Sequence, residues 1–210
     1  MNQLTKVSGL TLAASLALVG CSASSPMESP NSSPAATQAS EPAAAPSSEA
    51  GTPSPQAGAE PATGKTIEGS GYSFVVPEGW AVPAGSEAQA GVDKVVADMT
   101  DKDGFADNVT VALSPAKEVT PEQAESTGVE KLEKSGAKDA KLRDRVTIGG
   151  SEAVHLSALF VSDSGDYQIE QYYVSHENQT YIVTFSFSPT VSETDRDDLA
   201  ASVLATWPWA

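Results

Sequence analysis

The sequence predicts an α+β domain with a largely antiparallel sheet and two main helices. Three observations predict this class. Several strands follow one another across short turns, and the pair Gly149-Gly150 is typical of a two-residue hairpin turn. Apolar residues alternate along Thr180–Ser188, as expected for a strand with one buried face. Residues that cap helices stand at Thr120 and Ser192. A run of strands with segregated helices indicates an α+β sandwich.

The first part of this domain is predicted to hold three short strands. Each is rich in apolar, aromatic or β-branched residues. Pro77 ends the first strand, and the polar segment Thr100–Asn108 separates the other two. The three strands are Tyr72–Val76, Val95–Met99 and Val109–Leu113.

A helix follows at Thr120-Pro121-Glu122-Gln123. The threonine fits a capping position, proline suits the first helical position, and glutamine three residues after the cap completes a capping box. We expect the helix to run to Glu133 and to end at Gly136. Its apolar stripe is thin and consists of Ala124, Val129 and Leu132.

Four further strands and a last helix complete the prediction. Ser192 caps the helix, and acidic residues near its start suit the positive end of the helix dipole. Its apolar face is Leu199, Val203 and Leu204. The four strands are Lys141–Ile148, Ala153–Val161, Tyr167–Ser175 and Thr180–Ser188; Val154, Leu156, Ala158 and Phe160 share one face, as do Tyr181, Val183, Phe185 and Phe187.

The domain occupies about two-thirds of the 210 residues. Met1–Gly20 are predicted to be a signal peptide, Cys21–Thr66 a disordered tether, and Ile67–Ala210 the folded domain. The tether is dominated by Ala, Ser, Pro, Gly and Thr and has no aromatic residue. Such a segment buries too little apolar surface to offset its ordering entropy. We therefore expect a flexible spacer.

An export signal is indicated by the first twenty-one residues. Lys6 precedes the apolar run Val7–Val19, whose helical length of about 20 Å is short of the ~30 Å hydrocarbon core of a bilayer. A signal peptide fits this length better than a membrane span. The run ends in Leu18-Val19-Gly20-Cys21, which resembles the lipobox of bacterial lipoproteins. The resemblance implies cleavage before Cys21, a diacylglycerol on its thiol, and attachment to the extracytoplasmic face of the cell membrane.

The order of elements resembles a known fold. Phe74-Val75-Val76-Pro77-Glu78-Gly79-Trp80, a strand led by Asn108, a capped helix, a four-strand meander and a last helix near Trp207 are similar to the PsbP-like fold. Within that fold they resemble the LpqN/LpqT-type lipoproteins of actinobacteria, over Tyr72–Trp209. The resemblance implies a cell-surface domain without a recognised catalytic site, and it carries over no ligand.

Charge and composition exclude several functions. The formal charge is −16, and from Lys65 onward acidic residues outnumber basic ones by more than two to one. This surface repels phosphate backbones, so we expect no nucleic-acid partner. The lone cysteine, Cys21, excludes a disulfide within one chain and a thiolate metal cluster. The nucleophile elbow of serine hydrolases is not in the sequence. We expect no catalytic residues and no cofactor.

Two candidate ion sites are weighed against simpler interpretations. A simple hairpin register places His155 opposite Val174 and His176 diagonally beyond it, about 7–8 Å away on the same face. Glu177 adds one more ligand, but a zinc site needs three or four, so two solvated histidines are the simpler interpretation. The segment Asp101–Asn108 offers oxygen ligands but lacks the terminal glutamate of a calcium loop, so an ordinary polar loop is favoured.

The sequence leaves three functions open. The leading hypothesis is a non-enzymatic binding or accessory module at the cell envelope, with an unknown envelope protein or lipid as partner. A carrier of a lipid or small apolar ligand is the second, with a pocket lined by Phe160, Phe185 and Leu199. A metal-assisted enzyme that uses the two histidines is the third. Four aromatic side chains are possible ligand contacts: Trp80, Tyr172, Tyr173 and Trp209.

Overall fold

The computed structural model describes residues 59–86, 91–163 and 165–210. The predicted signal peptide, the lipobox, Cys21 and most of the tether lie outside the described residues. No helix within the described part of the chain is long and apolar enough to cross a membrane.

The chain already contacts the domain before the predicted boundary at Thr66. The Ala62 amide donates to the Ser202 carbonyl at 2.9 Å, and the Gly64 amide donates to the Val76 carbonyl at 2.9 Å. A Cβ at position 64 would lie 2.5 Å from that carbonyl oxygen, so the close approach requires glycine. The last residues of the predicted tether therefore pack on the domain.

The elements confirm the predicted α+β class. Within the described residues, an eight-stranded antiparallel sheet has the order β3-β4-β5-β10-β9-β8-β6, with β7 also paired to β8. A separate hairpin joins β1 and β2. The strands are β1 Thr66–Glu68, β2 Ser73–Val75, β3 Trp80–Ala81, β4 Val92–Asp98, β5 Asn108–Leu113, β6 Ala137–Leu142, β7 Val146–Ile148, β8 Ser151–Phe160, β9 Tyr167–His176 and β10 Gln179–Phe187; the helices are α1 Pro121–Lys134 and α2 Glu193–Leu204.

The structure confirms the predicted capping box and end of α1 and the predicted turn of one hairpin. Thr120 Oγ1 accepts from the Gln123 amide at 3.3 Å, and the Thr120 amide donates to Gln123 Oε1 at 3.1 Å, which is the predicted capping box. Gly136 adopts φ +94° just beyond α1. The hairpin between β7 and β8 turns at Gly149 and Gly150, both with positive φ, as a two-residue turn requires.

The prediction of one continuous strand over Lys141–Ile148 is wrong. That stretch contains the end of β6, three residues outside the ladder, and all of β7. Both strands pair with β8, but the β6 register shifts between Lys138 and Lys141. Asp139 has φ +51° at that irregularity. That irregularity lies within β6, and it is Arg143, Asp144 and Arg145 that divide the edge of the sheet into two strands.

The two faces of the sheet bury different cores. We call them the α1 face and the α2 face, after the helix that packs on each. Small and branched side chains dominate the core beneath α1, including Ala124, Leu132, Val154, Leu156, Ala158 and Ile169. The larger core beneath α2 and the β1–β2 hairpin is aromatic, with Tyr72, Phe74, Tyr172, Phe185, Phe187 and Trp207 among its buried residues.

Candidate functional site

A group of charged side chains is buried on the α2 face. Glu170 stands on β9 on the same face as Tyr172 and Val174, and its exposure is 0%. His155 on β8 is 5% exposed, and Arg196 on α2 is 7% exposed. Ionised side chains are rarely buried to this degree unless they are paired. These three buried side chains therefore form the candidate functional site.

Glu170 on β9 contacts α2 through one carboxylate oxygen and β8 through the other. Arg196 Nε donates to Glu170 Oε1 at 3.0 Å, and His155 Nε2 lies 2.9 Å from Glu170 Oε2. Arg196 Nη1 also donates to the Val191 carbonyl at 2.8 Å, just before α2. These contacts fix the start of α2 against β8 and β9.

A second ion pair borders the first toward solvent. Arg143, from the break between β6 and β7, lies 3.0 Å from Asp197 Oδ2 and 2.9 Å from Glu193 Oε1. Burial is the main cause that raises the pKa of Asp197; Arg143 opposes the rise, and the charge of Glu170 adds to it. We call His155, Glu170, Arg196, Asp197 and Arg143 the charge cluster.

His155 and His176 do not share a site. His155 pairs with Tyr172 across the strands, two residues from the predicted partner Val174, because β8 and β9 stay paired only as far as Phe160 and Tyr167. A two-residue shift keeps both histidines on the α2 face, but places His176 four residues, about 13 Å, beyond the position opposite His155. His176 instead stacks on Trp209, with ring centroids 4.5 Å apart. The predicted diagonal pair is wrong, and so is the expectation of a solvated His155.

The carboxylates of the loop between β4 and β5 accept from backbone amides, both within the loop and at Ser188. Asp101 accepts from the Asp103 amide at 3.2 Å, and Asp103 accepts from the Phe105 amide at 2.9 Å. Asp107 accepts from the Ser188 amide at 2.8 Å. Burial raises the pKa of Asp107 to about 6, and nearby Asp101 adds to the rise. These contacts agree with the simpler interpretation, a polar loop.

The four aromatic candidates differ in exposure. Trp80 is 5% exposed and Tyr172 is 0% exposed, so both are core residues and do not line an open surface. Tyr172 stacks on His155 with centroids 4.3 Å apart. Tyr173 and Trp209 are half-buried. They lie on opposite faces of the sheet, Tyr173 beside the α1 core and Trp209 beside the α2 core.

The charge cluster has ligand chemistry that the sequence interpretation missed. One ligand atom each from His155, Glu170 and Asp197 lies within 4.8 Å of the others. Glu170, Tyr172 and Val174 follow a period of two, and this period could have indicated that Glu170 is buried. The contribution of Arg196 and Asp197 gives no such local signal, because it depends on how α2 packs.

Comparisons with known proteins show a similarity in fold only. No protein-family model matches the sequence, and no curated protein matches it. A solved structure from Bacteroides thetaiotaomicron is 17% identical with a TM-score of 0.46; the match covers 70% of this chain but 48% of that one, so this chain spans about half its length.

Two further solved structures are similar to this chain. Cyanobacterial PsbP from Synechocystis is 17% identical with a TM-score of 0.47, over 67% of this chain and 87% of that one. LpqN of Mycobacterium tuberculosis, described as involved in cell envelope biogenesis, is 13% identical with a TM-score of 0.47, over 69% and 88%. The chain is thus similar to PsbP-like proteins in fold alone, and the LpqN/LpqT type stays a prediction.

Proposed function

We propose that this chain is a membrane-anchored, extracytoplasmic lipoprotein whose domain acts as a non-enzymatic binding or accessory module. The observation that carries the proposal is Leu18-Val19-Gly20-Cys21 directly after the apolar run Val7–Val19. Each buried methylene of an acyl chain contributes ~0.8 kcal/mol, so two or more chains on Cys21 provide stable attachment. The Ala/Ser/Pro-rich tether would hold the domain away from the membrane.

The chemistry of the charge cluster favours binding over catalysis. His155 is buried beneath Tyr172 and contacts the Glu170 carboxylate. Arg196 occupies Glu170 Oε1 and fastens α2 to the sheet, and His155 on β8 contacts Oε2. A general base needs to reach the proton of a substrate, and this histidine faces the protein interior instead.

The carrier hypothesis loses its proposed pocket. Phe185 and Leu199 belong to the core beneath α2, whereas Phe160 packs against the core beneath α1. The sheet lies between them, so the three side chains do not line one cavity. Tyr173 and Trp209 remain the aromatic candidates with enough exposure to contact a partner.

Mass spectrometry and fractionation of the native protein test the proposal. We expect the mature chain to begin at Cys21, to carry acyl chains on that residue, and to sediment with membranes. Cys21→Ala should release the protein into the soluble fraction, whereas Ser22→Ala should not. An unmodified Cys21 thiol in the native protein would contradict the anchor.

The non-enzymatic role needs its own test. Chemical cross-linking of the anchored protein in intact cells should recover a defined partner, and Trp209→Ala or Tyr173→Ala should weaken that capture. A turnover activity that disappears in His155→Gln and survives in His176→Gln would contradict a purely binding role.

A further inference from the structure

Each of the two carboxylates of the charge cluster accepts from an arginine through one of its oxygens. Glu170 accepts Arg196 on Oε1, and Oε2 faces His155 Nε2. Asp197 accepts Arg143 on Oδ2. Asp197 Oδ1 is buried and has no hydrogen-bond partner within the described ranges. A buried carboxylate oxygen without a partner is costly, and a cation removes that cost.

We propose that His155, Glu170 and Asp197 bind a divalent transition-metal ion such as Zn²⁺. Their ligand atoms lie within 4.8 Å of one another on three separate elements: β8, β9 and α2. One imidazole nitrogen and two carboxylate oxygens are donors that Zn²⁺ accepts. The imidazole favours a transition metal over Mg²⁺ or Ca²⁺, which prefer oxygen ligands throughout.

Two arginines donate hydrogen bonds to the two proposed carboxylate ligands. In protein metal sites the ligating carboxylates are themselves hydrogen-bonded, and these outer partners orient them. Arg196 and Arg143 occupy that position for Glu170 and Asp197. With Glu193 the cluster holds three carboxylates against two guanidinium groups, so its net charge is −1 when His155 is neutral. A dication would shift this charge to +1.

Asp197 and Arg143 form the side of the cluster that faces solvent. The Asp197 side chain is 34% exposed and the Arg143 side chain is 24% exposed, whereas Glu170 is fully buried. A metal would enter past Asp197 and take the place of the contact between His155 Nε2 and Glu170 Oε2. Three protein ligands would leave a fourth position for water.

Calorimetric titration with Zn²⁺ tests the site. The full chain is used in a Cys21→Ser background, so that the thiol does not bind the metal, and residual metal is first removed with EDTA. We expect 1:1 binding and a Tm increase of about 5–10 °C at a free Zn²⁺ concentration 100 times Kd. Affinity should fall as pH decreases, because protons compete with the metal for its ligand atoms. Co²⁺ should show visible absorption bands in the same chain.

Matched variants separate this site from surface binding. Asp197→Asn and Glu170→Gln should each weaken Zn²⁺ binding at least about tenfold. His176→Ala, which changes the histidine outside the charge cluster, should bind Zn²⁺ as the parent does. If Glu170→Gln does not fold, the Asp197→Asn variant alone tests the proposal. The Asp197 side chain is partly exposed, so this substitution should leave the fold intact. The proposal is overturned if the parent binds no Zn²⁺, or if Asp197→Asn binds it with unchanged affinity.

Discussion

The two helices are attached to the sheet by different chemistry. Helix α1 packs closely through its small residues, and a Cβ on Gly128 would lie 2.5 Å from Leu156 Cδ1. Helix α2 buries Ala200, Val203 and Leu204, but it also places Arg196 on the fully buried Glu170. Close packing at Gly128 and a partly exposed ion pair attach α1 to the sheet, whereas a fully buried carboxylate fixes the position of α2. The first three predictions below and the final double-mutant cycle test this difference.

The largest effect is expected at Glu170. Glu170→Gln removes a buried charge and leaves Arg196 without its ionic partner, which should lower the free energy of unfolding by about 3 kcal/mol. Denaturant unfolding at pH 7 measures this loss. Glu193→Gln is the matched control: its side chain is 61% exposed, so a loss below about 1 kcal/mol is expected. Equal losses in both variants would contradict a special role for the buried pair.

The next largest effect is expected at Arg145, which forms ion pairs with both α1 and β8. Arg145 is 11% exposed and lies 2.6 Å from Glu125 on α1 and 2.8 Å from Glu152 on β8. Arg145→Gln should cost about 2 kcal/mol, because hydrogen bonds to charged groups are lost. Lys134→Gln, at an exposed pair within α1, should cost less than about 0.5 kcal/mol. Thermal unfolding of the two variants should reproduce this order.

A smaller effect is expected from Gly128→Ala. Alanine is favoured over glycine within a helix by about 1 kcal/mol, but overpacking against buried Leu156 should cost about 2 kcal/mol. The net result is a loss of about 1 kcal/mol in chemical denaturation. In a Leu156→Ala background the steric conflict is removed, so the same change should stabilise the protein. A loss of equal size in both backgrounds would show that α1 does not depend on this contact.

The smallest effect lies outside both helices, at Asp107. Its pKa of about 6 in the folded state is above the value of about 4 in an unfolded chain, so the folded state retains the proton longer. Stability should therefore fall as pH rises from about 4 to 6 and then level off. Asp107→Asn should remove this slope and add about 0.5 kcal/mol at pH 7, since partial exposure screens the charges. An unchanged pH profile of Tm would contradict the assignment.

The sequence predicted the features that depend on neighbours along the chain. Thr120 with Gln123, and Gly149 with Gly150, specify their turns through local backbone geometry, and the structure confirms both. The predicted register of β8 on β9 was wrong by two residues. The turn residues in the sequence do not determine where strand pairing ends. The break after β6 was also missed, although the charged residues Arg143, Asp144 and Arg145 interrupt the apolar alternation there.

The charge cluster was missed for a different reason. The expected apolar face of α2 was Leu199, Val203 and Leu204, yet Arg196 is buried and Leu199 only partly so. An arginine near the start of a helix is normally solvated, and its burial depends on a carboxylate 26 residues away on β9. Only the packed tertiary structure brings the two together.

A double-mutant cycle between Glu170 and Arg196 tests most directly whether a buried charge pair fastens α2 to the sheet. The free energies of unfolding of Glu170→Gln, Arg196→Met and the double variant would be compared with that of the parent. We predict that the double variant loses at least about 1.5 kcal/mol less than the sum of the two single losses. Additive losses, within about 0.3 kcal/mol, would contradict the account.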